Sequence, residues 1–189
     1  LAEALHRPLD TVLRALSRSK AVYTDFAAAR KRLGEAALRE SFDRAVVVLG
    51  RPYNVHDPFL NLSLARHLER LGLPAIPWDL LPLDEIELDK RWDTVPWFYS
   101  REQLRALEVI RQDPRLFPIL VSSYGCGPDA FTVKHLEELL AGRPRLLLEF
   151  DEHRGEAGLV TRLEALADEI EAHLCTNRGN VSKPAVTPG

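Results

Sequence analysis

The chain has 189 residues, of which 46% are hydrophobic and 28% charged, with a formal net charge of −3. A chain of this length can bury a core without a disulfide or a metal to hold it, and the charge balance, with no basic block, excludes the footprint of a nucleic-acid binder. No apolar run approaches the ~20 residues needed to span a bilayer, and the opening "LAEALHRPLD" lacks both the basic and the apolar regions of a signal peptide.

Residues 1–44 read as a helical segment. Leu9, Val12, Leu13 and Leu16 recur at three- and four-residue steps, and Asp10 or Thr11 can cap the first helix. The Ala, Arg, Lys and Glu content from Phe26 to Phe42 predicts a second helix, with Gly34 a mild cost. The rhythm then changes. "AVVVLG" at 45–50 is short, β-branched and continuously apolar, as a strand buried on both faces must be. A helix is expected over 58–72, where Leu60, Leu64, Leu68 and Leu71 form one stripe and Gly72 stands at the C-terminal cap. A second short strand falls near 73–78. The stretch 84–100 is acidic and then aromatic, with Trp92, Trp97, Phe98 and Tyr99, and reads as an irregular excursion into a helix at 100–112.

"LFPILVSS" at 116–123 is the third strand, followed by a helix at 128–142 that Pro128 opens and Gly142 ends. "RPRLLLEFD" at 143–151 is the fourth strand, and a last long helix covers 155–174. The polar stretch from 175 to 189 is expected to be a disordered tail. Strands alternating with helices predict the α/β class: an open, Rossmann-like parallel sheet of about four strands with flanking helices, over 45–174, preceded by the N-terminal helical segment.

Ligands of such sheets sit outside the carboxyl ends of the strands. That selects the loops "GRPYNVHDPF", "WDLLPLD", "SYGCGPD" and "DEHRGEAG". The first matches neither phosphate-loop pattern. Its Arg51, Tyr53, Asn54, His56 and Asp57 can bind a ligand, or Asn54 and Asp57 can simply satisfy backbone groups, with Asp57 capping the next helix. In "SYGCGPD", Cys126 comes just before a helix that Pro128 starts, a place that favours thiolate, while Gly125 and Gly127 leave room for something bulky. The plain alternative is a small residue in a tight turn, with Asp129 serving the first turn of the helix. A lone cysteine cannot hold an iron–sulfur cluster by itself, and a nucleophile needs a base, for which His56 and His153 are better placed than His135. His6, His67 and His173 fit solvated helix faces. Glu149, Asp151, Glu152 and His153 crowd a strand end without metal-ligand spacing and equally suit the start of the last helix. Arg162 is either a surface residue or an anion clamp. The only other cysteine, Cys175, is incidental. Two unlike thiols make no disulfide framework, which favours a reducing cytoplasm, and a chain that starts at Leu1 and contains no methionine suggests a fragment or a processed product.

Taken together, "GRPYN-x-x-DP-x-x-N", "SYGCGPD" and "LLLEFDEHRGEAGLVTRLEA", in this order, resemble the large activase-related proteins of the 2-hydroxyacyl-CoA dehydratase system, specifically their dehydratase-like part. The resemblance covers roughly residues 20 to 174. It implies a Rossmann-like domain and an oxygen-sensitive [4Fe–4S] cluster, to which Cys126 would contribute one ligand and segments outside this chain the others. It further implies ATP-driven electron transfer onto an acyl-CoA. The partners would be other domains of a longer chain or a separate activase or dehydratase subunit. Within the motifs, Arg51, Tyr53, Asn54, Asp57, Asn61, Asp129, Asp151, His153 and Arg162 are the positions expected to line the ligand site. A different class of function is a non-catalytic module that holds an anion through Arg51, Asn54 and helix N-termini, or docks a partner domain through the Trp92–Tyr99 aromatics.

Overall fold

In the computed structural model, residues 1–40, 42–123, 125–151 and 155–181 are described. The chain forms two units, Leu1–Glu40 and Ser41–Gly189.

The first unit is dominated by one helix, α1 (Leu9–Arg39). The expected break into two helices does not occur. Nothing between Ser17 and Phe26 is a proline or glycine, and the penalty of about 1 kcal/mol for Gly34 is absorbed within a long run of good helix formers. Arg14–Asp10 and Arg39–Glu35 ion pairs at i,i+4 spacing support it. Its Leu9, Leu13, Leu16, Tyr23, Phe26 and Leu33 side chains are exposed.

The second unit is the expected sheet. Four parallel strands, β1 (Ala45–Gly50), β2 (Ala75–Pro77), β3 (Leu116–Ser123) and β4 (Leu146–Phe150), lie in the order β2-β1-β3-β4. Central β1 is buried along its whole length and β3 along all but its last residue, which is why both read as continuous apolar runs. Edge strand β4 is only partly buried. Pro118 is tolerated inside β3 for a definable reason. Ala45 N–H donates to the Arg115 carbonyl, so the odd-numbered residues of β3 bond to β1 and Pro118 turns toward β4. Pairing with β4 begins only at Ile119, so no ladder bond needs the missing N–H.

The helices of this unit are α2 (Pro52–His56), α3 (Leu64–Arg70), α4 (Phe98–Gln112), α5 (Gly127–Leu139) and α6 (Glu156–Val181). Helix α2 stands where a loop was expected: Pro52 presets the first-turn φ, and five residues then complete a single turn. The expected helix over 58–72 shortens to α3 because Leu62 and Ser63 take left-handed backbone conformations, φ 52° and 55°. Helix α6 continues past the expected end at 174 through Cys175 to Val181, since no proline interrupts 175–181; residues 182–189 lie outside the described residues. The excursion between β2 and α4 forms three short 3-10 turns. It is pinned by Trp92, which packs edge-on against His135 at 4.2 Å and Phe131 at 6.2 Å on α5.

With β1 connecting outward to β2 and the chain then returning to β3 on the other side, the strand order reverses between β1 and β3. The crevice outside their carboxyl ends is the topological switch point, where sheets of this kind bind ligands.

Candidate functional site at the sheet's switch point

Two segments meet in that crevice. From β1 come Gly50, Arg51 and α2; from β3 come Ser122, Ser123 and the turn into α5. Their approach depends on Gly50, whose φ is 142°: a Cβ there would stand 2.3 Å from the Val121 carbonyl oxygen. The Gly50 carbonyl is in turn fixed by the Trp78 indole N–H at 2.9 Å.

The polar contacts follow from this placement. Arg51 Nε lies 3.3 Å from Asp129 Oδ1, with the Arg51 side chain 17% exposed and that of Asp129 only 1%. The N–H does not point along that line, so Oδ1 makes no hydrogen bond, while Oδ2 accepts one from Ser122 Oγ at 3.1 Å. A buried carboxylate requires such a cation, because an unpaired charge out of water is strongly unfavourable. The far end of Arg51 reaches the cysteine: Nη2 donates to Cys126 Sγ at 3.8 Å, and the guanidinium sits 5.6 Å from the centre of the Tyr99 ring. Asn54, buried at the foot of α2, donates to Ser123 Oγ at 3.4 Å.

Cys126 is the N-cap residue of α5, half-buried, and its side chain makes no capping hydrogen bond; its sulfur is met by Arg51 instead of by the helix amides. Space on either side of it is open, since a Cβ added at Gly125 or Gly127 would have nothing within 4 Å. Gly125 has φ 53°, a conformation glycine adopts without strain.

The remaining expected positions separate by role. Asp57 accepts from the Phe59 and Leu60 amides at 2.8 and 3.3 Å, and Asn61 donates to the Asn54 and Val55 carbonyls at 3.0 and 2.9 Å. Both knit the turn after α2. Tyr53 is exposed. Asp151 and Arg162 line a different cavity, of about 180 Å³, at the end of β4, where Arg162 donates to the Leu147 carbonyl. His153 lies outside the described residues. His56 faces Asp79, 3.1 Å from both carboxylate oxygens. His67, expected on a solvated face, is buried opposite Glu156 of α6. Of the aromatics, Trp92 is buried, whereas Trp97, Phe98 and Tyr99 are exposed. Ser122 and Ser123 were not singled out from the sequence, where two adjacent hydroxyls closing an otherwise apolar strand were the available signal, and Tyr99 was read only as part of the aromatic stretch.

One family comparison bears on this arrangement. Residues 1–81 match the model of a family described as CoA enzyme activase uncharacterised domain (DUF2229). The matched stretch takes in α1, β1, Arg51, α2, α3 and β2. It ends before β3, so Cys126 and Asp129 lie outside the part that is similar to the activase-domain family. No curated protein and no solved structure matches the chain.

The donors present can be set against the needs of an iron–sulfur cluster. Among the described residues no group of three or more His, Cys, Asp and Glu side chains could hold a metal ion. Cys175 lies 19 residues beyond the start of α6, about 29 Å along the helix at 1.5 Å per residue, and cannot join Cys126 on one cluster. The crevice therefore offers one thiol with open space beside its sulfur, and the described residues do not make a closed four-cysteine site. Among the described residues, no helix is long and apolar enough to cross a membrane.

Proposed function

We propose that this chain is the α/β domain of a dehydratase-like, activase-related iron–sulfur protein, in which ATP-driven electron transfer reaches an acyl-CoA and Cys126 supplies one cluster ligand. The observation that carries the reading is the Arg51–Cys126 contact across the β1/β3 switch point. A thiol merely filling a tight turn needs no charged donor. Here the donor is fixed by a buried carboxylate.

Bound at such a thiolate, a [4Fe–4S] cluster supplies one-electron transfer. The chain's own residues do the rest. Arg51 offers its N–H to the sulfur and a positive charge beside it. Asp129 balances that charge and, through Ser122, ties it to the end of β3. Tyr99 covers one face of the guanidinium. Segments beyond this chain, or an activase or dehydratase subunit, bring the other ligands and the exposed Trp97–Tyr99 edge lies open beside α5.

The alternative of an anion clamp draws less support, because Arg51 already faces Asp129 and Arg162 already donates to a backbone carbonyl. Anaerobic purification of the full-length protein should give iron and acid-labile sulfide. Cys126→Ser should lower both while leaving the unfolding free energy of the iron-free chain within about 1 kcal/mol of wild type. Unchanged iron in that variant, or none in the wild type, would leave Cys126 a turn residue.

A further inference from the structure

A second opening lies away from the crevice, between the turn that precedes α3 and the start of α6, with a volume of about 440 Å³. Its cationic wall is Arg66 and Arg70, one helical turn apart and both exposed. Among the described residues neither guanidinium has a hydrogen-bond or ion-pair partner, which sets them apart from Arg91, Arg101, Arg105, Arg111 and Arg115 in the same unit. Among the described residues the one acid lining the groove is Glu156, whose carboxylate lies 3.4 Å from His67 Nε2. The apolar wall is Pro58, Leu62 and Phe59, whose ring is 70% exposed.

The groove's shape is held against strain. Leu62 and Ser63 are consecutive left-handed residues that are not glycine, a conformation that costs roughly 1–2 kcal/mol each and persists only where neighbours impose it. The neighbours are Asp57, which binds the Phe59 amide, and Asn61, which binds the Leu64 amide, with Ser63 N–H donating to the Pro58 carbonyl at 2.8 Å. Two positions expected to touch ligand thus serve to fix a turn that carries Phe59 and leads into the arginines.

We propose that this groove binds a nucleoside diphosphate group, its phosphates on Arg66 and Arg70 and its base against Phe59. A lone carboxylate occupies one guanidinium. Two, about 6 Å apart along the helix, match a ligand with two anionic groups, and the exposed ring offers the flat apolar contact that a purine needs. Nothing in the groove involves Cys126, so this assignment stands or falls independently of the iron.

Titration calorimetry of the chain with ADP, pyrophosphate and coenzyme A tests it. ADP is expected to bind saturably and more tightly than pyrophosphate. The double variant Arg66→Ala, Arg70→Ala should weaken ADP by about ten-fold or more, and Phe59→Ala should erase the difference between ADP and pyrophosphate. Because neither arginine has a partner among the described residues, the unfolding midpoint of the double variant should not move. Coenzyme A carries the same diphosphate and adenosine: affinity equal to that of ADP assigns the groove to the acyl carrier, and affinity about ten-fold weaker assigns it to a free nucleotide. No saturable heat with any of the three at millimolar concentration, or unchanged ADP affinity in the double variant, would overturn the proposal.

Discussion

Gly50 shows how much a single position can decide. Its backbone, at φ 142°, brings β1 against the Val121 carbonyl where the candidate site begins, and a methyl group has no room there. Gly50→Ala should therefore destabilise the chain by about 3 kcal/mol or more, read as a lower denaturant midpoint with an unchanged slope. A glycine closing an apolar run is visible in the sequence, but its φ is not. Asp113 is a second case. The Arg115 side chain, bonded to it at 2.7 Å, is the main influence holding its carboxyl below the usual carboxylate range; burial opposes the shift and loses. A carboxyl with a folded value below its unfolded one adds stability above the unfolded value, 3.8, and loses it as pH falls through the folded one. Asp113→Asn should flatten the stability profile below about pH 4, by no more than about 1 kcal/mol because the pair is solvent-screened. An acid limb as steep as that of wild type would contradict this.

Among the elements, the four strands were legible because each is a short apolar run, and the burial of β1 and β3 leaves no alternation to confuse. Helices α4, α5 and α6 begin within two residues of where they were expected, and α5 was legible from the proline that opens it. Helix α2 and the left-handed pair at Leu62–Ser63 were not, because both depend on side chains folding back onto backbone groups seven residues or fewer away, which no hydrophobic period reports. The acidic–aromatic excursion reads as irregular and is irregular, yet it is anchored. Trp92 lies against His135 and Phe131, and Arg91 over its ring also pairs with Glu138, whose carboxyl Arg91 and then His135 hold below its ordinary range. Trp92→Ala should lower stability by about 3 kcal/mol through the cavity left between the excursion and α5. Proteolysis should then cut first within 84–97. Loss of stability without that local opening would mean the tryptophan belongs to the general core.

For the molecule as a whole, the parallel order β2-β1-β3-β4 places the candidate site, and the sequence pointed to it through the general rule for strand ends. What the sequence could not reveal is which of the converging residues pair. Arg51 and Asp129 are far apart in the chain and their alliance leaves Arg51 facing the thiol, whereas Asp57 and Asn61, quoted in the same motif, face inward to the turn. His67 went unread as a buried residue for the same reason, since its partner lies on α6. The most direct test of Cys126 as a ligand is its rate of alkylation in the iron-loaded full-length protein, followed by peptide mass spectrometry, before and after a chelator strips the metal. Cys126 should be protected until the metal is removed while exposed Cys175 is labelled at once. Equal labelling of both cysteines with iron still in place would contradict the assignment.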